Sequence, residues 1–191
     1  MTELVGRALA WVGEVHPHAR HLERTRDWLL VIEPQAGETL QLAAVLHDIE
    51  RAFPADDDPF DPTADPGAEA YNEWHQQRSA SIARGWLRER DAPEEIVTSV
   101  SELIAVHEWG GWPDADLVQA ADSLSFLEVQ IDLFRGMVQS GRLSRDQAVE
   151  KLRFMDERIR IQRARDLAAP LLARALAQFD DVAASTPTRR A

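Results

Sequence analysis

Apolar residues return every three to four positions along almost the whole chain, and alternating runs rich in Val, Ile and Thr are missing. That period predicts helices and no strands, hence an all-α fold. Seven helices are expected. The first covers about residues 3–15 and stops at His16 and Pro17. The second covers about 18–32 and ends before Pro34. The third starts near Glu38 and carries Leu40, Leu42, Val45 and Leu46 into His47 and Asp48. The stretch 54–67 holds four prolines and five aspartates, which forbids regular structure and predicts a solvated acidic surface loop.

Beyond the loop, a fourth helix is expected over about 69–90. A fifth opens at Pro93 and Glu94 and runs to His107, where Gly110, Gly111 and Pro113 end it. The sixth spans about 114–139, with Gly141 as its stop. Ser144 and Gln147 have the spacing of a capping box, opening one long last helix that Pro170 is placed to kink. One domain over 1–182 is expected, followed by a disordered tail over 183–191.

The chain has 191 residues, 45% of them hydrophobic, which is enough to bury a core. Lys and Arg number 21 against 33 Asp and Glu, a net charge of −12. That balance argues against binding to nucleic-acid polymers or anionic membranes. No cysteine is present, so disulfides, thiolate metal sites and thiol nucleophiles are excluded. The first twenty residues carry acids within their apolar part and do not read as a secretory signal. No run approaches the roughly 18 apolar residues of a membrane span. A cytoplasmic, soluble protein is the expectation.

The six histidines are placed selectively. His47 precedes Asp48 at the end of an apolar helix, His75 sits mid-helix, and His107 ends another apolar helix. Asp122 lies among apolar residues, and His21 falls inside the second helix. Imidazole nitrogen and carboxylate oxygen together suit Zn, Mn, Fe, Ni or Co, and helical bundles build such centres from facing helices. His16 and His18 flank Pro17 and read as surface residues, although the choice of first ligand among the three N-terminal histidines stays open. His21 is favoured because Arg24 and Arg26 follow it within a helix.

The order His21, His47-Asp48, His75, His107, Asp122 resembles the HD superfamily of metal-dependent phosphohydrolases. So do the local words HLERTRDWL, LAAVLHDIERAF, EWHQQRSASIARGWL and ELIAVHEWGGWPDADLVQAADSLSFLE. The resemblance covers about residues 18–130 and leaves a C-terminal helical extension, 144–182, outside. It implies an HD-domain helical bundle with one or two divalent ions of Mn, Ni, Co, Fe, Mg or Zn. His21, His47, Asp48 and Asp122 would ligate the first ion, with Asp48 bridging. His75 and His107 would complete a second.

The implied activity is hydrolysis of a phosphate ester or pyrophosphate bond in a small molecule or nucleotide by a metal-activated water. Arg24, Arg51 and Arg78 each lie three or four residues from a proposed ligand and are candidate phosphate holders. Glu50, Glu73 and Glu108 are candidates to orient imidazoles or to move protons, with Asp48 and Glu108 foremost in catalysis. Two other readings stand beside this one: a di-iron oxygenase on the same fold, and a non-catalytic metal-binding helical module. Trp74, Trp109 and Trp112 would either wall a pocket or pack in the core. Arg153, Arg158, Arg160, Arg163 and Arg165 alternate with acids and read as a salt-bridged solvent face. The apolar residues of that helix would pack on the bundle or on a second subunit in a homodimer.

Overall fold

A computed structural model describes residues 1–59 and 68–183, with side chains to residue 179. Among the described residues the chain is all-α: nine helices, one 3-10 turn and no strands. The helices are α1 (Glu3–Val15), α2 (Ala19–Ile32), α3 (Glu38–Leu46), α4 (Glu69–Arg88), α5 (Glu94–Ile104), α6 (Pro113–Val129), α7 (Ile131–Gln139), α8 (Arg145–Glu157) and α9 (Gln162–Ala183). The 3-10 turn, Ile49–Ala52, follows α3. None of these helices is long and apolar enough to cross a membrane.

α6 is the central element. Every residue from Val118 to Leu127 is buried, the signature of a helix surrounded on all sides. One apolar cluster gathers α1, α3, α4 and α5 around Leu22, Leu42, Leu46, Leu87, Ile104 and Val118. A second gathers α8 and α9 against α2 and α6 around Leu29, Leu124, Leu152, Ile159 and Phe179. α2, α3 and α6 contribute to both clusters and so join them. The polar residues of α6, among them Gln119, Asp122, Ser123 and Ser125, are also buried. They form a polar seam between the two clusters.

The first three helices, the helix after the acidic loop and the Ser144–Gln147 capping box lie where the sequence places them, within two residues. Three boundaries differ. α5 ends at Ile104, not at His107, and residues 105–109 form a turn that faces both His107 and Glu108 inward. Gly110 closes that turn at φ 64°, and a Cβ there would crowd the Asp116 carboxylate, so the position favours glycine.

The expected sixth helix is two helices that meet at Gln130. The expected last helix is also two, separated at 158–161. Neither break contains Pro or Gly. At the second break, neighbouring residues Arg158 and Ile159 both turn inward, Ile159 into the second apolar cluster and Arg158 into the polar seam. In a continuous helix adjacent side chains point about 100° apart and could not share that direction. Pro170 lies inside α9. The acidic loop is irregular as far as it is described, and residues 60–67 and the expected tail beyond Ala183 fall outside the described residues.

The C-terminal pair therefore shares one core with the rest. Leu152 is fully buried in the second cluster, and Leu152→Ala should lower stability by about 2–5 kcal/mol. Urea unfolding followed by far-ultraviolet circular dichroism should still give a single transition. Two transitions, with only the first displaced, would mean that α8 and α9 unfold separately.

Candidate metal centre

The local backbone sets up the centre before any packing is considered. His47 keeps helical angles, φ −58° and ψ −35°, at the end of α3. Asp48 leaves them, at φ −106° and ψ 14°. Two adjacent side chains thereby splay to different parts of one cleft. α2 supplies His21, α4 supplies His75, the turn after α5 supplies His107 and Glu108, and α6 supplies Asp122. All of these residues are buried.

Each of the four imidazoles is held by its Nδ1 and presents its Nε2. His47 Nδ1 donates to the Ala44 carbonyl at 3.0 Å, and His107 Nδ1 donates to the Ile104 carbonyl at 2.8 Å. His75 Nδ1 donates to Glu50 Oε1 at 2.8 Å. Ser125 gives its hydroxyl hydrogen to the His21 carbonyl at 2.8 Å, so its oxygen is free to accept from His21 Nδ1 at 2.9 Å. Carbonyls only accept, so these contacts fix the Nδ1–H tautomer and leave an Nε2 lone pair for each neutral ring. The four Nε2 atoms converge. His75 Nε2 and His107 Nε2 stand 3.2 Å apart, and His47 Nε2, fully buried, has no hydrogen-bond partner.

The carboxylates sit between these rings. Asp122 Oδ1 is 3.1 Å from His21 Nε2 and 3.3 Å from His47 Nε2. Asp48 Oδ1 is 3.0 Å from His75 Nε2, while its Oδ2 is 4.0 Å from His21 Nε2. Three sets place one ligand atom per residue within 4.8 Å of one another: His21, His47 and Asp48; His47, His107 and Asp122; Asp48, His75 and His107. Asp48 belongs to two sets, one oxygen toward each half. Buried His/Asp clusters able to hold a metal ion are thus present. An orphaned ring nitrogen and two facing Nε2 atoms are the arrangement a cation resolves, and the donor set is the mixed N and O type that first-row divalent metals accept.

Charge follows the same geometry. Burial alone would raise the Asp48 carboxyl, yet the Arg51 guanidinium and the His75 ring hold it well below the usual carboxylate range. Burial would likewise raise Asp122, and Arg158 with His47 overrides it. Glu108 is brought down to about 2 by Arg158 and Lys151 against its own burial. For His75, burial works downward but Asp48 and Glu50 prevail and raise it to about 9. Burial, with His47 and His75 beside it, pushes His107 down to about 3. With no metal bound, the protonated form of His75 is thereby favoured; burial would lower His47, but Asp122 and Asp48 raise it as well.

All six proposed ligands come together: His21, His47, Asp48, His75, His107 and Asp122. The candidate arginines separate. Arg51 Nε donates to Asp48 Oδ2 at 2.9 Å, beside the centre. Arg24 does not reach it, because Glu128 and Asp27 take its guanidinium. Arg78 donates to the Phe53 carbonyl and lies over Trp74. Glu50 and Glu108 are in the centre, whereas Glu73 pairs with Gln76 and Gln77 outside it. Trp112 is exposed, and Trp74 and Trp109 are half-buried.

Two sequence readings are corrected. His16 is buried, not a surface residue: its Nε2 donates to the Asp48 carbonyl at 3.1 Å and its Nδ1 accepts from the His18 amide. Both ring nitrogens are used, so His16 props the Asp48 backbone and His21 is the ring that enters the cluster. Arg158 is not on a solvent face. Its guanidinium contacts Glu108 Oε2 and Asp122 Oδ2, and its Nε donates to Ser123 Oγ at 2.9 Å. Its neighbours Met155, Ile159 and Ile161 are the only sequence signal of an inward-facing position.

The raised and lowered imidazoles set a pH dependence for metal-free protein. A His75 value near 9, above the 6.5 of an unfolded histidine, gives stability that is complete below pH 6.5 and lost as pH rises through 9. His107 acts oppositely. Its neutral ring contributes above pH 6.5, and that contribution is lost as pH falls toward 3. The melting temperature of chelator-treated protein, read by calorimetry, should peak near pH 6.5 and fall by several degrees toward pH 9 and toward pH 4.5. A melting temperature that rises from pH 6.5 to 9 would contradict the His75 assignment.

Comparison with known proteins places the chain in a family. No curated protein and no solved structure matches it. A family model described as "Domain of unknown function (DUF4202)" matches residues 11–183. The match takes in the whole imidazole cluster and both C-terminal helices, α8 and α9. The chain therefore belongs to the DUF4202 family.

Proposed function

We propose that the chain is a metal-dependent phosphohydrolase of the HD type, acting on a phosphate ester or pyrophosphate bond of a small molecule or nucleotide. The observation that carries this reading is the convergence of four backed imidazoles on Asp48, whose two oxygens face the two halves of the cluster. The ligand order His21, His47-Asp48, His75, His107, Asp122 and its local words resemble the HD pattern, and the all-α bundle is compatible with it. The overlapping ligand sets support a reading with one or two divalent ions. The reading brings with it a cytoplasmic location and a small phosphorylated substrate.

A divalent ion held by His21, His47, Asp48 and Asp122, with a second at His75 and His107, would supply a water acidified toward neutral pH and a Lewis acid for phosphoryl oxygens. The chain's own groups do the rest. Arg51 is anchored through Nε to Asp48 and its side chain is 36% exposed, so it is the arginine placed to meet a phosphoryl oxygen arriving from solvent. Glu50 keeps the His75 ring in one tautomer and orientation. Glu108, held near 2, stays ionised at neutral pH. It can accept a hydrogen bond and orient a water, but it has no proton to give a leaving group.

The test begins with metal content by mass spectrometry on protein purified without a metal-affinity tag, beside Asp48→Ala. Turnover of phosphate esters and nucleotides follows, with each candidate metal. One or two equivalents of a divalent metal and metal-dependent phosphate release are expected, with Asp48→Ala lowering kcat by about 100-fold or more. Two equivalents of iron with an oxygen-dependent spectral change would move the assignment to the oxygenase. Metal without turnover of any substrate would leave a binding module. Neither metal nor turnover after reloading would overturn the assignment altogether.

A further inference from the structure

Arg158 stands out because it comes from outside the segment that carries the proposed ligands, yet contacts two carboxylates of the cluster. It sits at the corner between α8 and α9 with its side chain 6% exposed. All three nitrogens of its guanidinium are committed. Nη2 meets Asp122 Oδ2, Nη1 meets Glu108 Oε2, and Nε donates to Ser123 Oγ. In each carboxylate the oxygen that Arg158 takes is the outer one. The inner oxygens face the rings: Asp122 Oδ1 lies 3.1 and 3.3 Å from His21 and His47, and Glu108 Oε1 lies 3.7 and 3.9 Å from His75 and His107.

One planar fork therefore reaches both halves of the cluster at once. The Arg158 contacts hold the outer oxygen of each carboxylate and leave the other oxygen of each turned toward the rings. Lysine could supply the charge but not the geometry, since a single ammonium cannot hold two carboxylates in fixed planes.

We propose that Arg158 is a positioning residue for the metal centre: it restricts Asp122 and Glu108 to one inward-facing oxygen each and thereby makes the C-terminal helical pair an obligatory part of the site. The proposal rests on the reading that the cluster holds divalent metal, and the two can fail separately.

The test uses cobalt(II) added to the full-length, metal-free protein, with the visible ligand-field spectrum and equilibrium dialysis as readouts. Variants are Arg158→Met, Arg158→Lys and, as a control on the exposed face of α8, Arg153→Met. Both Arg158 variants should bind cobalt about 10- to 100-fold more weakly, with displaced bands as Asp122 gains freedom to offer its second oxygen. Arg153→Met should match the wild type in both readouts. Arg158→Lys keeps the charge and serves where Arg158→Met fails to fold. A folded Arg158 variant with wild-type affinity and spectrum would overturn the positioning role and leave the metal reading standing. Wild-type protein that takes up no cobalt would overturn the metal reading, and the positioning role with it.

Discussion

Everything in the middle of this bundle answers to one electrostatic constraint: four carboxylates, Asp48, Glu50, Glu108 and Asp122, are buried together. Removing a carboxylate from water is costly unless opposite charge and hydrogen bonds replace the lost hydration. Arg51 is placed against Asp48 and Glu50 and Arg158 against Glu108 and Asp122, and the His75 ring sits between Asp48 and Glu50. An imidazole whose protonated form is favoured by two flanking carboxylates occupies a place that a divalent ion can take. Folding and ligand preference thus come from the same charges.

The surrounding structure supplies direction where the charges supply attraction. Backbone carbonyls at Ala44 and Ile104, the Ser125 hydroxyl and Glu50 fix four rings from behind. His16 fixes the backbone of Asp48. α6 passes through the centre of the molecule and turns its polar residues toward this region while its apolar residues join the two cores. Gly110 permits the tight turn that faces His107 and Glu108 inward together. The polar interior is therefore well satisfied, with His47 Nε2 the exception inside the cluster.

Much of this was legible from the order of residues. Histidine is scarce in the chain, His21 and His75 fall within helices and His47 and His107 at the ends of apolar ones, so their approach to one another could be anticipated. Helix boundaries with local causes, such as Pro34 or the Ser144 cap, were equally readable. What escaped had tertiary causes. The breaks at Gln130 and at 158–161 contain no helix-breaking residue, and packing alone places them. Arg158 is one of five arginines on a stretch that alternates with acids, and periodicity assigns such residues to solvent. Arg24 has the same spacing from His21 that Arg51 nearly has from His47, yet Glu128, about a hundred residues away, claims it. His16 beside a proline suggested an exposed corner, whereas the α1–α2 connection folds it beneath Asp48.

The distribution of the cluster along the chain bears on how the protein is made. Arg158 follows His21 by well over a hundred residues. Domains generally acquire structure as the N-terminal portion emerges during translation, yet here Glu108 and Asp122 lack their guanidinium partner until the α8–α9 corner arrives. On the proposed metal reading, enclosure of an ion would wait for the α8–α9 corner, so that completion of the polypeptide and of the centre would coincide.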